Sequence, residues 1–131
     1  MSANDIQIGG SHYQRDYQHW DFVCDTNMPY LIGCATKYVS RWRDKNGIED
    51  LRKSIHYLEK ATERDVYLHN YDPAYCVKFN RSIAIAEATV VELICQGLYH
   101  AAITLIKEMI SDELASPGAN YIDPDKNYTR G

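Results

Sequence analysis

Several things are scarce in this 131-residue chain, and each scarcity removes a class of protein. No apolar run reaches the roughly 20 residues that a membrane-spanning helix needs, and no signal peptide is visible. The four cysteines (Cys24, Cys34, Cys76 and Cys95) include no CxxC pair and show no zinc spacing with histidine. Reduced thiols in a cytoplasm are the expected state. Alternating strand patterns do not persist beyond a few residues, and neither repeats nor low-complexity blocks occur. Positive charge is short overall, with 14 Lys and Arg against 18 Asp and Glu, net −4. That balance argues against a nucleic-acid polymer as partner. A GxxxxGK(S/T) P-loop, a GxGxxG turn and an HExxH pair are all missing.

What remains is helical pattern. Residues 1–16 read as a polar lead-in around Gly9-Gly10-Ser11-His12-Tyr13. A short helix is expected from about Tyr17 to Asp25. Asn27 then offers an N-cap, with Pro29 in the first turn of the next helix. That helix, about Met28 to Asp44, carries Met28, Leu31, Ile32, Ala35, Val39 and Trp42 as one apolar stripe. Gly33, Lys37 and Arg41 fall opposite, with Tyr38 and Lys45 on a flank. Asp44-Lys45-Asn46-Gly47 ends it.

A third helix is expected from Ile48 to about Leu68, with Ile48, Leu51, Ile55, Leu58 and Thr62 inward. Asp50, Lys53 and Tyr57 share a line away from that stripe. Asp72-Pro73 marks a break over Asn70 to Phe79. Helices follow over Asn80 to Gln96, apolar almost all round, and Leu98 to Leu114. The first of these is expected to be central or at a subunit interface. The chain thus reads as one all-α domain over 1–131. A helical hairpin (about 28–68) packs with two further helices (80–115), a short N-terminal loop and helix precede it, and 116–131 form a tail.

Charge is gathered rather than spread. Gly33 to Leu58 holds six of the Lys and Arg residues, and Leu31 to Lys60 is locally +3. The remainder therefore carries −7, a pattern that suits a small anionic ligand. Lys37 and Arg41, four apart, fit either a phosphate grip or an ordinary solvated face. Gly33 costs a helix interior about 1 kcal/mol, which hints at close approach by a ligand or another helix. Arg43, Lys45 and Lys53 surround the turn that opens the third helix, a natural anion position. Glu49 and Asp50 already complement that helix end; Asp50 could instead orient a Lys or Arg, or help hold a metal–phosphate complex.

Tyr13, Tyr38, Trp42 and Tyr57 are the aromatic residues available to stack on a base, Trp42 better explained by core packing. His12 fits a phosphate donor, a proton shuttle or a turn residue. His19, His56, His69 and His100 share no spacing and read as structural or exposed. The acidic pairs Glu59/Glu63 and Glu108/Asp112 could bind Mg²⁺, but helix-surface charge explains them as well. No metal site is expected in the chain itself.

Gly10-Ser11-His12-Tyr13, then Gly33, Lys37-Tyr38, Arg41, Lys45, Asp50-Leu51, Lys53 and Tyr57-Leu58, resemble a family of small phage proteins. That family includes a phage nucleotide kinase lacking a P-loop. The resemblance covers about 9–60, within a nucleotide-site region of 9–68. Cys34 stands where the family commonly has Asn, which removes an amide from the site, and Ser54 where it has Ala.

The resemblance implies phosphoryl transfer from a nucleoside triphosphate to a deoxynucleoside monophosphate. His12, Arg41 and Asp50 would be catalytic. Tyr13, Gly33, Lys37, Tyr38, Arg41, Lys45, Lys53 and Tyr57 would bind the nucleotide. Mg²⁺ would accompany the nucleotide, with no tightly bound cofactor. The expected protein is a homo-oligomer in the host cytoplasm, its partner a small nucleotide rather than a nucleic-acid polymer or a membrane. The alternative is an oligomer that sequesters a nucleotide, or a nucleotide-derived immune signal, without turnover. A structural or host-interaction protein built on the helices at 80–114 is a third expectation.

Overall fold

The computed structural model describes residues 16–117, and these form six helices without a strand. They are α1 (His19–Thr26), α2 (Tyr30–Arg41), α3 (Ile48–Glu63), α4 (Pro73–Asn80), α5 (Ile85–Cys95) and α6 (Tyr99–Ala115). The all-α expectation holds. His12 and Tyr13 lie outside the described residues, as do 118–131.

α2 packs along α3, α3 against α6, α6 against α5, and α5 back against α2. These four helices close around one core. α4 packs on α5, and α1 on α4, so the two short helices cover one side. Phe22, Ile32, Val39, Leu51, Leu58, Val90, Val91, Ile94 and Ile106 are fully buried. Each such side chain contributes about 1.5–3 kcal/mol by leaving water. α5, between α2, α4 and α6, is central as its apolar pattern implied.

Small residues set the spacing of the α2–α3 hairpin. Ala35, Ser54 and Ala61 are buried, and the Ser54 hydroxyl donates to the Ala35 carbonyl at 2.8 Å. With α2 this near, the inward face of α3 is Asp50, Leu51, Ser54, Leu58 and Ala61. The expected stripe through Ile48, Ile55 and Thr62 is rotated, and Thr62 is exposed.

Several helix ends differ from expectation: α2 stops at Arg41 rather than Asp44, and the helix expected from Asn80 begins at Ile85, Asn80 itself ending α4. Asn27 does not cap α2; it ends α1 in the left-handed conformation (φ 51°), its N–H donating to the Cys24 carbonyl and the Met28 N–H to that of Val23. Pro29 takes the N-cap place of α2, which begins at Tyr30. Asp72-Pro73 is a helix start rather than a break. The Asp72 carboxylate accepts from the Ala74 N–H at 2.9 Å, and Pro73 occupies the first turn of α4, where no N–H is needed. Finally, α3 stops at Glu63, followed by left-handed Asp65 (φ 55°).

Candidate functional site

The α2–α3 hairpin gathers cations around one ring. Arg41 Cζ lies 4.7 Å from the Tyr38 ring centre, Lys53 Nζ 5.3 Å and Lys37 Nζ 5.8 Å. No two of the three can therefore be more than about 11 Å apart. At that separation two like charges repel by about 0.4 kcal/mol in water and about 1.5 kcal/mol at a surface dielectric near 20. The Tyr38 ring offsets part of this by cation–π attraction, about 0.5–1 kcal/mol per exposed pair. An anion seated among the three would offset more.

Asp50 supplies one fixed negative charge. It does not face outward with Lys53 and Tyr57 as the helical pattern implied; it is fully buried. Its Oδ2 lies 3.5 Å from Arg41 Nε, an ion-pair contact without hydrogen-bond geometry. Asn46 donates its backbone N–H to Oδ2 at 3.3 Å and its amide to Oδ1 at 3.5 Å. A buried carboxylate needs such partners. Asp50 is accordingly an interior counter-charge to Arg41.

Beside the cations runs a groove of about 660 Å³, walled by Leu31, Tyr38 and Tyr57 and edged by Lys53, His56, Lys60 and Glu63, the last pair joined at 3.3 Å. Its size suits a small molecule. Tyr57 stacks on Tyr38, with centroids 5.8 Å apart and planes 9° apart, and meets Tyr30 edge-on at 6.2 Å. The Tyr57 phenol is pushed up to about 12, first by its hydrogen bond with Tyr30 and then by the neighbouring Cys34. Cys34 thus stands beside an aromatic wall of the groove.

His19 approaches from α1. Its Nε2 is 2.8 Å from the Thr36 hydroxyl, and its ring lies edge-on to Phe22 and Phe79. Burial pushes its pKa down to about 4, helped by the positive charges of Lys37 and Arg41. At neutral pH it is therefore an uncharged neighbour of the cation cluster.

The structure thus brings Lys37, Tyr38, Arg41, Asp50, Lys53 and Tyr57 together. Lys45 is exposed on the α2–α3 turn. Gly33 is buried, and a Cβ placed there would meet Val23 of α1 at 3.7 Å, so another helix approaches it. Arg43 turns to the other side, where its guanidinium pairs with buried Glu87 of α5 at 3.0 Å. Glu87 also accepts from the Trp42 indole at 2.8 Å, which confirms Trp42 as a core residue. Sequence reasoning missed Tyr30, His56 and Lys60 as groove neighbours. Lys53, His56, Tyr57 and Lys60 recur at i, i+3, i+4 and i+7, a spacing that could have found two of them.

Among the described residues, no three His, Cys, Asp or Glu side chains gather where they could hold a metal ion, and no helix is long and apolar enough to cross a membrane. Glu63 of one acidic pair is instead engaged by Lys60 at 3.3 Å.

Residues 9–59 match the model of a family described as a protein of unknown function (DUF3310). The matched segment takes in α1, α2 and most of α3, and with them the cation cluster and Asp50. α4, α5 and α6 fall outside it. No curated protein and no solved structure matches the chain.

Proposed function

We propose that this chain binds a nucleotide between α2 and α3 and acts as a phage-type nucleotide kinase. It would move a phosphoryl group from a nucleoside triphosphate to a deoxynucleoside monophosphate. The observation that carries the reading is the convergence of Lys37, Arg41 and Lys53 on Tyr38 beside an aromatic-walled groove. The cations suit phosphates, and the groove suits a base and sugar. Phosphoryl transfer depends on positioning and charge neutralisation more than on covalent chemistry by the protein, so a P-loop is not required.

In this reading Arg41 contacts the transferring group, because its planar fork can take two phosphate oxygens. Lys37 and Lys53 neutralise the flanking phosphates, and Asp50 keeps Arg41 aimed. The kinase half rests on the resemblance of the matched segment, which includes His12 and Tyr13. Mg²⁺ would arrive on the triphosphate. A homo-oligomer would cover exposed apolar side chains such as Tyr30 and Ile85, 75% and 71% exposed, and the resemblance to phage proteins implies the host cytoplasm.

Incubating the full chain with a nucleoside triphosphate and a panel of deoxynucleoside monophosphates tests this. A diphosphate product from at least one monophosphate is expected. No product across the panel, with a control kinase active, overturns the kinase half.

A second reading is sequestration without turnover. The burial of Asp50 favours it, since a carboxylate tied to Arg41 and Asn46 is not offered to a metal–phosphate complex. Tight calorimetric binding of a nucleotide recovered unchanged would select this reading.

A further inference from the structure

The end of α2 is held from behind by a residue outside the matched segment. Arg41 is the last residue of α2, and Trp42 and Arg43 follow it directly. Arg41 faces Tyr38 and Asp50, whereas Trp42 and Arg43 face α5. There Glu87, in the first turn of α5 and 2% exposed, takes both with one oxygen. Its Oε1 accepts from the Trp42 indole at 2.8 Å and lies 3.0 Å from Arg43 Nη2. The Arg43 guanidinium also lies 5.2 Å from the Trp42 ring centre, so the three side chains form one clamp.

The backbone joins that clamp to the cation cluster. The Asp44 N–H donates to the Arg41 carbonyl at 3.0 Å, and the Gly47 N–H to the Trp42 carbonyl at 2.8 Å. Asn46, in the same turn, donates to Asp50, the counter-charge of Arg41. A shift of Trp42 therefore moves the root of the Arg41 side chain and the turn that carries Asn46 together.

Stability is a poor account of the clamp. A first-turn glutamate complements its helix dipole as well from the surface. Burying it is costly, and apolar residues of similar volume often replace a buried ion pair without loss. The clamp also leaves polar atoms unmatched: Glu87 Oε2 and Arg43 Nε are buried without a hydrogen bond among the described residues. Each such atom keeps its desolvation cost. What a carboxylate supplies here that a leucine would not is direction, since it holds one indole N–H and one guanidinium at defined angles.

We propose that Glu87 is a positioning residue for Arg41: through Trp42 and Arg43 it sets where α2 ends, and so where Arg41 presents its guanidinium to a phosphate. The phosphate contact rests on the nucleotide reading, whereas the hold on Arg41 stands without it. α5, which lies outside residues 9–59, thereby takes part in the site. Glu87 also keeps Arg43 turned away from the cation cluster.

The test follows Arg41 directly, by nuclear magnetic resonance of the isotope-labelled full chain. Glu87→Gln keeps an oxygen for the Trp42 indole but loses the charge. Glu87→Leu combined with Arg43→Met replaces the ion pair by apolar groups. Val90→Ala, at a fully buried residue one turn along α5, damages packing alone. Solvent exchange of the buried Arg41 Nε–H should quicken about fivefold in the double variant and about twofold in Glu87→Gln. Calorimetric affinity for inorganic tripolyphosphate should fall by similar factors. Val90→Ala should lower the denaturation midpoint and leave both readouts at wild-type values. The positioning role is overturned if Arg41 Nε–H exchanges at the wild-type rate in both Glu87 variants, or if Val90→Ala quickens it as much. It is overturned too if exchange quickens while tripolyphosphate affinity holds, because Arg41 would then need no aiming. Should the wild type itself not bind tripolyphosphate, the nucleotide reading falls, and the exchange rates still decide whether Glu87 holds Arg41.

Discussion

Arg41 and Asp50 face each other across the α2–α3 hairpin at 3.5 Å, the arginine side chain 25% exposed and the aspartate fully buried. The pair ties the end of α2 to the start of α3 and leaves the rest of the guanidinium beside Tyr38. Removing the carboxylate leaves a mostly buried cation without its counter-charge. Asp50→Ala should therefore cost about 2–4 kcal/mol in urea denaturation, somewhat below the range for breaking a fully buried pair because Arg41 is partly solvated. It should also weaken nucleotide binding, because Arg41 loses its aim. A variant as stable as wild type would show that the pair holds nothing.

The helical hairpin was readable from period alone, and its cations were placed by the same wheel. The face of α3 was not, because Asp50 and Ser54 look like surface residues until α2 comes close enough to bury them. Asp72-Pro73 and Asn27 show the same limit in the backbone. Asp-Pro begins a turn or a helix, and Asn begins or ends one. Only the neighbours of the chain in space decide which. The contact of Cys34 with Tyr57 joins separate helices, so no local pattern reports it.

The cation cluster gives a direct test of the site. Lys37→Gln and Lys53→Gln each remove one charge from a partly solvated position. Each should weaken nucleotide binding about tenfold, near 1.4 kcal/mol, and reduce its salt dependence. Folding stability should move by less than about 0.5 kcal/mol. Calorimetry at two salt concentrations checks both. Wild-type affinity in the two variants would remove the phosphate site.

His19 predicts an acid weakness. Its folded value of about 4 lies below the ordinary 6.5, so the unfolded chain binds the proton more tightly. The stability from neutral His19 is complete above about pH 6.5 and is lost as pH falls towards 4. The loss should be about 2–3 kcal/mol, allowing for partial exposure. The difference in denaturation free energy between wild type and His19→Gln should shrink across that window. A difference independent of pH would show that His19 titrates normally.

Gly33 separates two explanations of one residue. Its surroundings admit a methyl group, with Val23 at ordinary contact distance. Gly33→Ala should then raise stability by about 0.5–1 kcal/mol through helix propensity. Unchanged nucleotide affinity in that variant would mean that neither the α1 contact nor a ligand requires the glycine. A loss of affinity with the stability gain intact would mean that a ligand passes over the α2 backbone there.

Cys34 tests the kinase reading against sequestration. Cys34→Asn puts an amide beside the Tyr57 phenol, at the place where the resembling family commonly has one. Cys34 is half-buried, so the larger polar side chain has room to reach solvent or Tyr57. If the missing amide limits phosphoryl transfer, turnover should rise about tenfold, the worth of one well-placed hydrogen bond of about 1.4 kcal/mol. Nucleotide affinity should change less than turnover, because the phosphate cations are untouched. A variant that folds, binds nucleotide and still turns over no faster would free Cys34 from any catalytic role and leave sequestration the stronger reading.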